Sequence, residues 1–114
     1  MSKQRICVVG DGLSGLMIAA VLGKEPGVEI NLVAKKGSKN LDKRTTAISD
    51  TNFRFIKQNI KSLESKLFWP SKKIELFYES SKEKINFLNL KDTKSNLMYV
   101  FENDKIKSNL LKEI

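Results

Sequence analysis

Residues 6–15 read ICVVGDGLSG, and the rest of the chain is arranged around them. An apolar run, Ile6, Cys7, Val8 and Val9, ends in Gly10-Asp11-Gly12-Leu13-Ser14-Gly15, and a strongly apolar segment follows over residues 16–22. Short apolar runs bounded by glycine read as buried strands, and the longer segment reads as a helix. A buried parallel strand, a glycine turn and a helix come in the order that a dinucleotide phosphate site requires. Gly10 turns the chain out of the strand where a side chain would clash. Gly12 lets the backbone approach a pyrophosphate, and Gly15 lets the helix pack close to the strand. The phosphates then rest on the free N–H groups at the helix N-terminus, where the positive end of the dipole lies. The candidate cofactor-binding residues of this stretch are therefore Gly10, Gly12, Leu13, Ser14 and Gly15; the alternative is a glycine-rich turn that serves packing only.

Downstream, Glu25-Pro26-Gly27 is a turn signal that stops the helix near Gly23 and Lys24. Residues 28–34 read as the second strand of a βαβ unit. In such a unit a carboxylate at the end of this strand accepts hydrogen bonds from the adenosine ribose. Here the segment reads Val33-Ala34-Lys35-Lys36, and the carboxylate is missing. Lys35 and Lys36 read as ordinary lysines at the start of a loop; alternatively they receive a ribose 2′-phosphate, which points to an NADP-type ligand. Residues 37–46 are polar and aperiodic, a loop. Ser49 or Asp50 is placed to cap a helix on which Phe53, Ile56, Ile60 and Leu63 recur at helical spacing as core residues. Pro70 ends this region, with Trp69 expected beneath the loop. Ile74, Leu76 and Tyr78 alternate as in a strand, residues 84–90 and 96–101 read as two more, and Asn103 or Asp104 caps a closing helix carrying Ile106, Leu110 and Ile114.

Composition narrows the function classes. The chain has 114 residues, 40% of them hydrophobic, enough for one small domain with a core. No apolar run approaches the roughly 20 residues that span a bilayer. Cys7 is the only cysteine, so an internal disulfide is excluded and a buried packing role is expected. With no histidine, histidine-based acid/base catalysis and most zinc sites are excluded. The formal charge of +8 comes from lysines scattered along the chain, with Arg5, Arg44 and Arg54 the only arginines. Without a basic–aromatic stripe these read as a solvated face, and no nucleic-acid partner is expected.

Several separated pieces resemble one family. The fingerprint at residues 6–15, then Asp42-Lys43-Arg44-Thr45-Thr46-Ala47-Ile48-Ser49, then Tyr99-Val100-Phe101-Glu102-Asn103 leading into Ile106 and Leu110, resemble the N-terminal part of class A flavoprotein monooxygenases, specifically the aromatic hydroxylases of ubiquinone biosynthesis. Order and approximate spacing agree over essentially the whole chain. The resemblance implies that Gly10, Gly12 and Gly15 hold the FAD pyrophosphate. It places Arg44 beside the cofactor, where a guanidinium suits phosphate or flavin oxygens, and Asn103 near the ribityl chain. It implies hydroxylation of the aromatic ring of a polyprenylated ubiquinone precursor by O₂, with FAD as cofactor and NAD(P)H as reductant. A cytoplasmic location peripheral to the inner membrane, and contact with a ubiquinone-biosynthesis complex, would follow from such a substrate.

Departures from that pattern are Asp11, a carboxylate beside the expected pyrophosphate, and Ala34 in place of the acidic ribose ligand. The family's later flavin-contacting motifs and substrate sheet have no counterpart. The expectation is therefore an α/β chain: a Rossmann-like βαβ FAD-binding N-terminal region with inserted antiparallel strands, truncated. Residues 1–114 would form a partial FAD/NAD(P)-binding domain, inactive alone and completed by a C-terminal half, with uncovered sheet edges that favour self-association. The competing readings are an NADP-dependent dehydrogenase-type domain, a basic module for nucleic acid or anionic membrane, and a degenerate remnant without ligand.

Overall fold

The computed structural model describes residues 2–35 and 42–114. It is a mixed α/β structure in which strand β1 (Gln4–Val9), helix α1 (Leu13–Leu22) and strand β2 (Val28–Val33) come first. Strand β3 (Thr45–Ser49) and helix α2 (Asp50–Asn59) follow, then β4 (Phe68–Ser71), β5 (Lys73–Glu79), β6 (Lys84–Lys91), β7 (Met98–Glu102) and helix α3 (Asn103–Glu113). β1 and β2 pair in parallel, with Gln4 opposite Val28 and Val9 opposite Val33, and α1 connects them. A second sheet, antiparallel throughout, has the order β3-β7-β4, and β5 pairs with β6 as a separate hairpin.

The core forms where α1, α2, α3 and the second sheet meet. Leu16 and Ala20 of α1 pack with Ile56, Ile60, Leu63, Phe68, Phe101, Ile106 and Leu110, all buried. The small side chains Ala19 and Ala20 leave room for close packing against α1, and α3 lies along it. At their far ends Lys24 and Glu113 form an ion pair at 2.6 Å, and Lys24 holds the Glu113 carboxyl below its ordinary range. Aromatic rings tie α2 to the second sheet: Phe53 stacks on Tyr99 at 3.7 Å and meets the edge of Phe68 at 5.1 Å.

Several expectations are corrected. The segment 37–46, read as loop, includes the start of β3, whose register against β7 runs from Thr45–Glu102 to Ser49–Met98; its residues 37–41, like Lys36, lie outside the described residues. Thr-Thr-Ala-Ile is a β-compatible run, but its pairing partner lies more than fifty residues away, where no local signal reaches. α2 ends at Asn59, so Ile60 and Leu63 reach the core from the following turn rather than from a helix face. Trp69 does not lie beneath a loop. β4 alternates, turning Phe68 inward at 4% exposure and Trp69 outward at 51%. Pro70 sits inside that strand because β4 is an edge, where a missing N–H donor costs nothing. Cys7 is exposed rather than buried, since α1 covers only one face of β1 and Arg5, Cys7 and Val9 occupy the other. The N-cap of α3 is Glu102, so neither Asn103 nor Asp104 caps it; both belong to its first turn. Ile114 is about half exposed.

The molecule is elongated, 64 × 36 × 22 Å, with a radius of gyration of 18.0 Å. A compact chain of this length would have a radius near 13 Å, so part of it stands away from the core. The β5–β6 hairpin is that part: none of its residues enters the core or packs on it.

Candidate functional site

β1 leads directly into the glycine turn. Gly10 adopts φ 110°, a conformation that side chains disfavour, and its N–H donates to the Val33 carbonyl at 2.7 Å, tying the turn to the end of β2. A Cβ on Gly15 would fall on the Gly10 carbonyl oxygen, so α1 lies against the turn as closely as a glycine permits. Gly12 differs from both. Its backbone is extended, φ −70° and ψ 177°, and a Cβ there would meet nothing within 4 Å. Among the described residues nothing requires glycine at this position, and none of them fills the space beside it.

The first hydrogen bond of α1 runs from the Leu16 N–H to the Gly12 carbonyl at 3.0 Å. The N–H groups of Leu13, Ser14 and Gly15 thus precede the helical ladder. Among the described residues no side chain caps this end, and no acidic residue lies in its first turn, whereas Ser49 Oγ caps α2 by accepting from the Asn52 N–H at 3.2 Å. Uncapped donors, a turn that only glycine adopts readily and the room left at Gly12 by the described residues together fit a phosphate-bearing group. The Ala34 methyl offers no acceptor for a ribose hydroxyl.

A cavity of about 410 Å³ opens at the start of α1 and is lined by Leu13, Ser14 and Met17 together with Thr46, Ile48 and Phe55. Arg44 lines another, of about 290 Å³, with Asp42, Lys43, Thr45, Glu102 and Asp104. The residues singled out in the sequence are therefore divided: Leu13 and Ser14 at the first cavity, Arg44 at the second. Asn103 joins the two walls. Its buried amide accepts from Thr46 Oγ1 at 2.5 Å and donates to Asp42 Oδ2 at 3.3 Å, while its backbone N–H donates to the Arg44 carbonyl at 3.0 Å.

Asp42 is the electrostatic centre of the second cavity. Arg44 forks onto it, Nε to Oδ1 at 2.8 Å and Nη2 to Oδ2 at 2.9 Å, and the Arg44 backbone N–H adds a bond at 3.1 Å. Lys107 Nζ lies 3.8 Å from Oδ2. The hydrogen bonds from Arg44 hold the Asp42 carboxyl far below the usual carboxylate range, with a smaller contribution from Asn103, and Asp42 in turn raises Arg44. The Arg44 side chain is 81% exposed, and its remaining donors are not engaged among the described residues.

Neither Asp42 nor Thr46 had been singled out as a site residue. Asp42, two residues before Arg44, lies within reach of local pattern reading. The Thr46–Asn103 pair spans a separation that only the fold closes. No cluster of metal-ligating side chains occurs among the described residues, and no described helix is long and apolar enough to cross a membrane. Comparison with protein-family models finds no match, and comparison with curated proteins finds none.

Proposed function

We propose that the β1–α1 turn binds the pyrophosphate of FAD, and that the chain is the FAD-binding N-terminal portion of a flavin-dependent monooxygenase acting on the aromatic ring of a polyprenylated ubiquinone precursor. The observation that carries the binding half is the contrast among the glycines: Gly10 and Gly15 are demanded by the backbone, while Gly12 is demanded by nothing among the described residues. A glycine that the fold does not need is accounted for by a ligand that does need it. The flavin and the hydroxylase rest on the resemblance of residues 42–49 and 99–103, which include the β3–β7 pair; its Thr46, Ile48 and Phe101 line the cavity at the start of α1.

In this reading Gly12, Leu13, Ser14 and Gly15 present backbone donors to the phosphates, the α1 dipole adds positive potential, and Gly10 sets the turn. Arg44 adds a cation whose orientation Asp42 fixes, and Asn103 holds β3 and α3 in place through Thr46 and Asp42. When bound, FAD would supply the redox chemistry of ring hydroxylation, with NAD(P)H as reductant and O₂ as oxygen donor. The protein's share in these segments is to bind and orient the cofactor. Asp11 opposes binding, because an exposed carboxylate next to the turn repels phosphate. A lipid-borne substrate would bring the assembled enzyme to the inner membrane surface from the cytoplasm.

Titration of the purified chain with FAD and with NADP, followed by flavin fluorescence and calorimetry, tests the proposal. Saturable FAD binding is expected, weakened about tenfold in Arg44→Ala by loss of a charge-assisted contact. Binding of NADP in preference to FAD would instead favour the dehydrogenase-type reading. Binding of neither would contradict both.

A further inference from the structure

The register of the β5–β6 hairpin sets Ile74 opposite Leu90, Leu76 opposite Leu88 and Tyr78 opposite Ile85. Directly opposed residues share a face, so these side chains line one side of the hairpin. Phe87 is the extra residue of a bulge facing Leu76 and Phe77, and it brings Ile85 into phase with Leu88 and Leu90. The other side carries Lys73, Glu75, Phe77 and Glu79, with Lys84 Nζ placed 4.9 Å from the centre of the Phe77 ring. The apolar side is open to solvent, with Leu76 at 41% and Tyr78 at 60% exposure. An isolated two-stranded hairpin is marginally stable in water and gains stability from a further strand.

The two edges of the hairpin are not equivalent. β6 is broken by the bulge and has lysine at both ends, Lys84 and Lys91, so two copies paired along it would oppose like charges. β5 is regular, and its outer edge has no strand partner among the described residues. Its sequence, Lys73-Ile74-Glu75-Leu76-Phe77-Tyr78-Glu79, is self-complementary about Leu76. Two antiparallel copies centred there set Lys73 of each opposite Glu79 of the other, Ile74 opposite Tyr78, and Leu76 opposite Leu76. Unlike charges meet at both ends and the apolar face runs unbroken across the junction.

We propose that a second copy of the chain adds to this edge, β5 against β5, antiparallel and centred on Leu76, joining two hairpins into one continuous sheet. The contact is isologous, so it closes at a dimer and does not propagate. It is independent of the nucleotide reading.

Cysteine trapping and sedimentation of the full chain test it. In a Cys7→Ser background, Leu76→Cys places two thiols on directly opposed residues, about 4.5–5.5 Å apart at Cα and within disulfide reach. Glu75→Cys places them on a diagonal of roughly 7–8 Å, outside it. Oxidation is expected to give covalent dimer from the first variant and not from the second. Sedimentation is expected to show a monomer–dimer equilibrium whose dissociation constant rises about tenfold in Glu79→Lys and returns in the double reversal Lys73→Glu/Glu79→Lys. Circular dichroism establishes that each variant is folded. A chain monomeric at every concentration, equal crosslinking at both positions, or a dimer indifferent to charge reversal would overturn the proposal, as would open-ended growth in mass.

Discussion

At the scale of single residues, neighbouring glycines of one motif do different physical work. Gly15→Ala drives a methyl group into the Gly10 carbonyl, a backbone atom that cannot swing aside. It is expected to cost about 2 kcal/mol, as overpacking does, read as a lower urea midpoint at unchanged slope. The fingerprint announced this turn, and its geometry follows the motif's own logic. The Arg44 half of the Asp42 network is local, two residues along the chain, but the contacts from Asn103 and Lys107 on α3 are made only by the fold. The Asp42 carboxyl is depressed in the folded state, so its contribution is complete above the unfolded carboxylate range and fades as pH falls through the lowered value. Asp42→Asn should therefore lower the melting temperature at pH 7. The gap between variant and wild type should begin to close below about pH 4, the unfolded carboxylate value. A gap independent of pH would show that the charge on Asp42 contributes nothing to stability.

At the scale of elements, legibility tracked the range of the interactions. α1, β2, α2 and α3 were readable because their apolar runs and apolar spacing are local; Ser49 caps α2 as its position implied, whereas the start of α3 was misplaced by one residue. β3 and β4 were not, because short strands beside polar residues are fixed by partners on β7, far along the chain. The exposure of Cys7 escaped for a related reason. An apolar run shows that a strand has a buried face, and only the sheet shows whether the second face is covered. The β5–β6 hairpin was legible as two strands, yet its separation from the core was not. That separation has a direct consequence. The Asp92 N–H donates to the Lys72 carbonyl at 2.9 Å, so the chain enters and leaves the hairpin at one place. Replacing residues 73–91 by a short glycine-serine turn is expected to leave the helical dichroism intact and move the thermal midpoint by no more than a few degrees. Collapse of the cooperative transition would mean that the hairpin holds the core together.

At the scale of the whole molecule, a small core is shared by three helices and one antiparallel sheet, with the parallel β1–β2 pair on one flank and a free hairpin extending the long axis. The glycine turn belongs to the flank, where it is open, and the Asp42–Arg44–Asn103 network fastens the other wall. If the turn is shaped for a phosphate-bearing cofactor, Gly12 is the residue whose replacement separates binding from folding. Gly12→Val adds a side chain where the fold has room for it and where the backbone is already extended. Stability and FAD affinity should be measured on the same variant, by urea unfolding and by fluorescence titration. The expected result is an unfolding midpoint matching wild type, together with FAD binding weakened at least tenfold. Undiminished FAD binding by a folded Gly12→Val chain would contradict it.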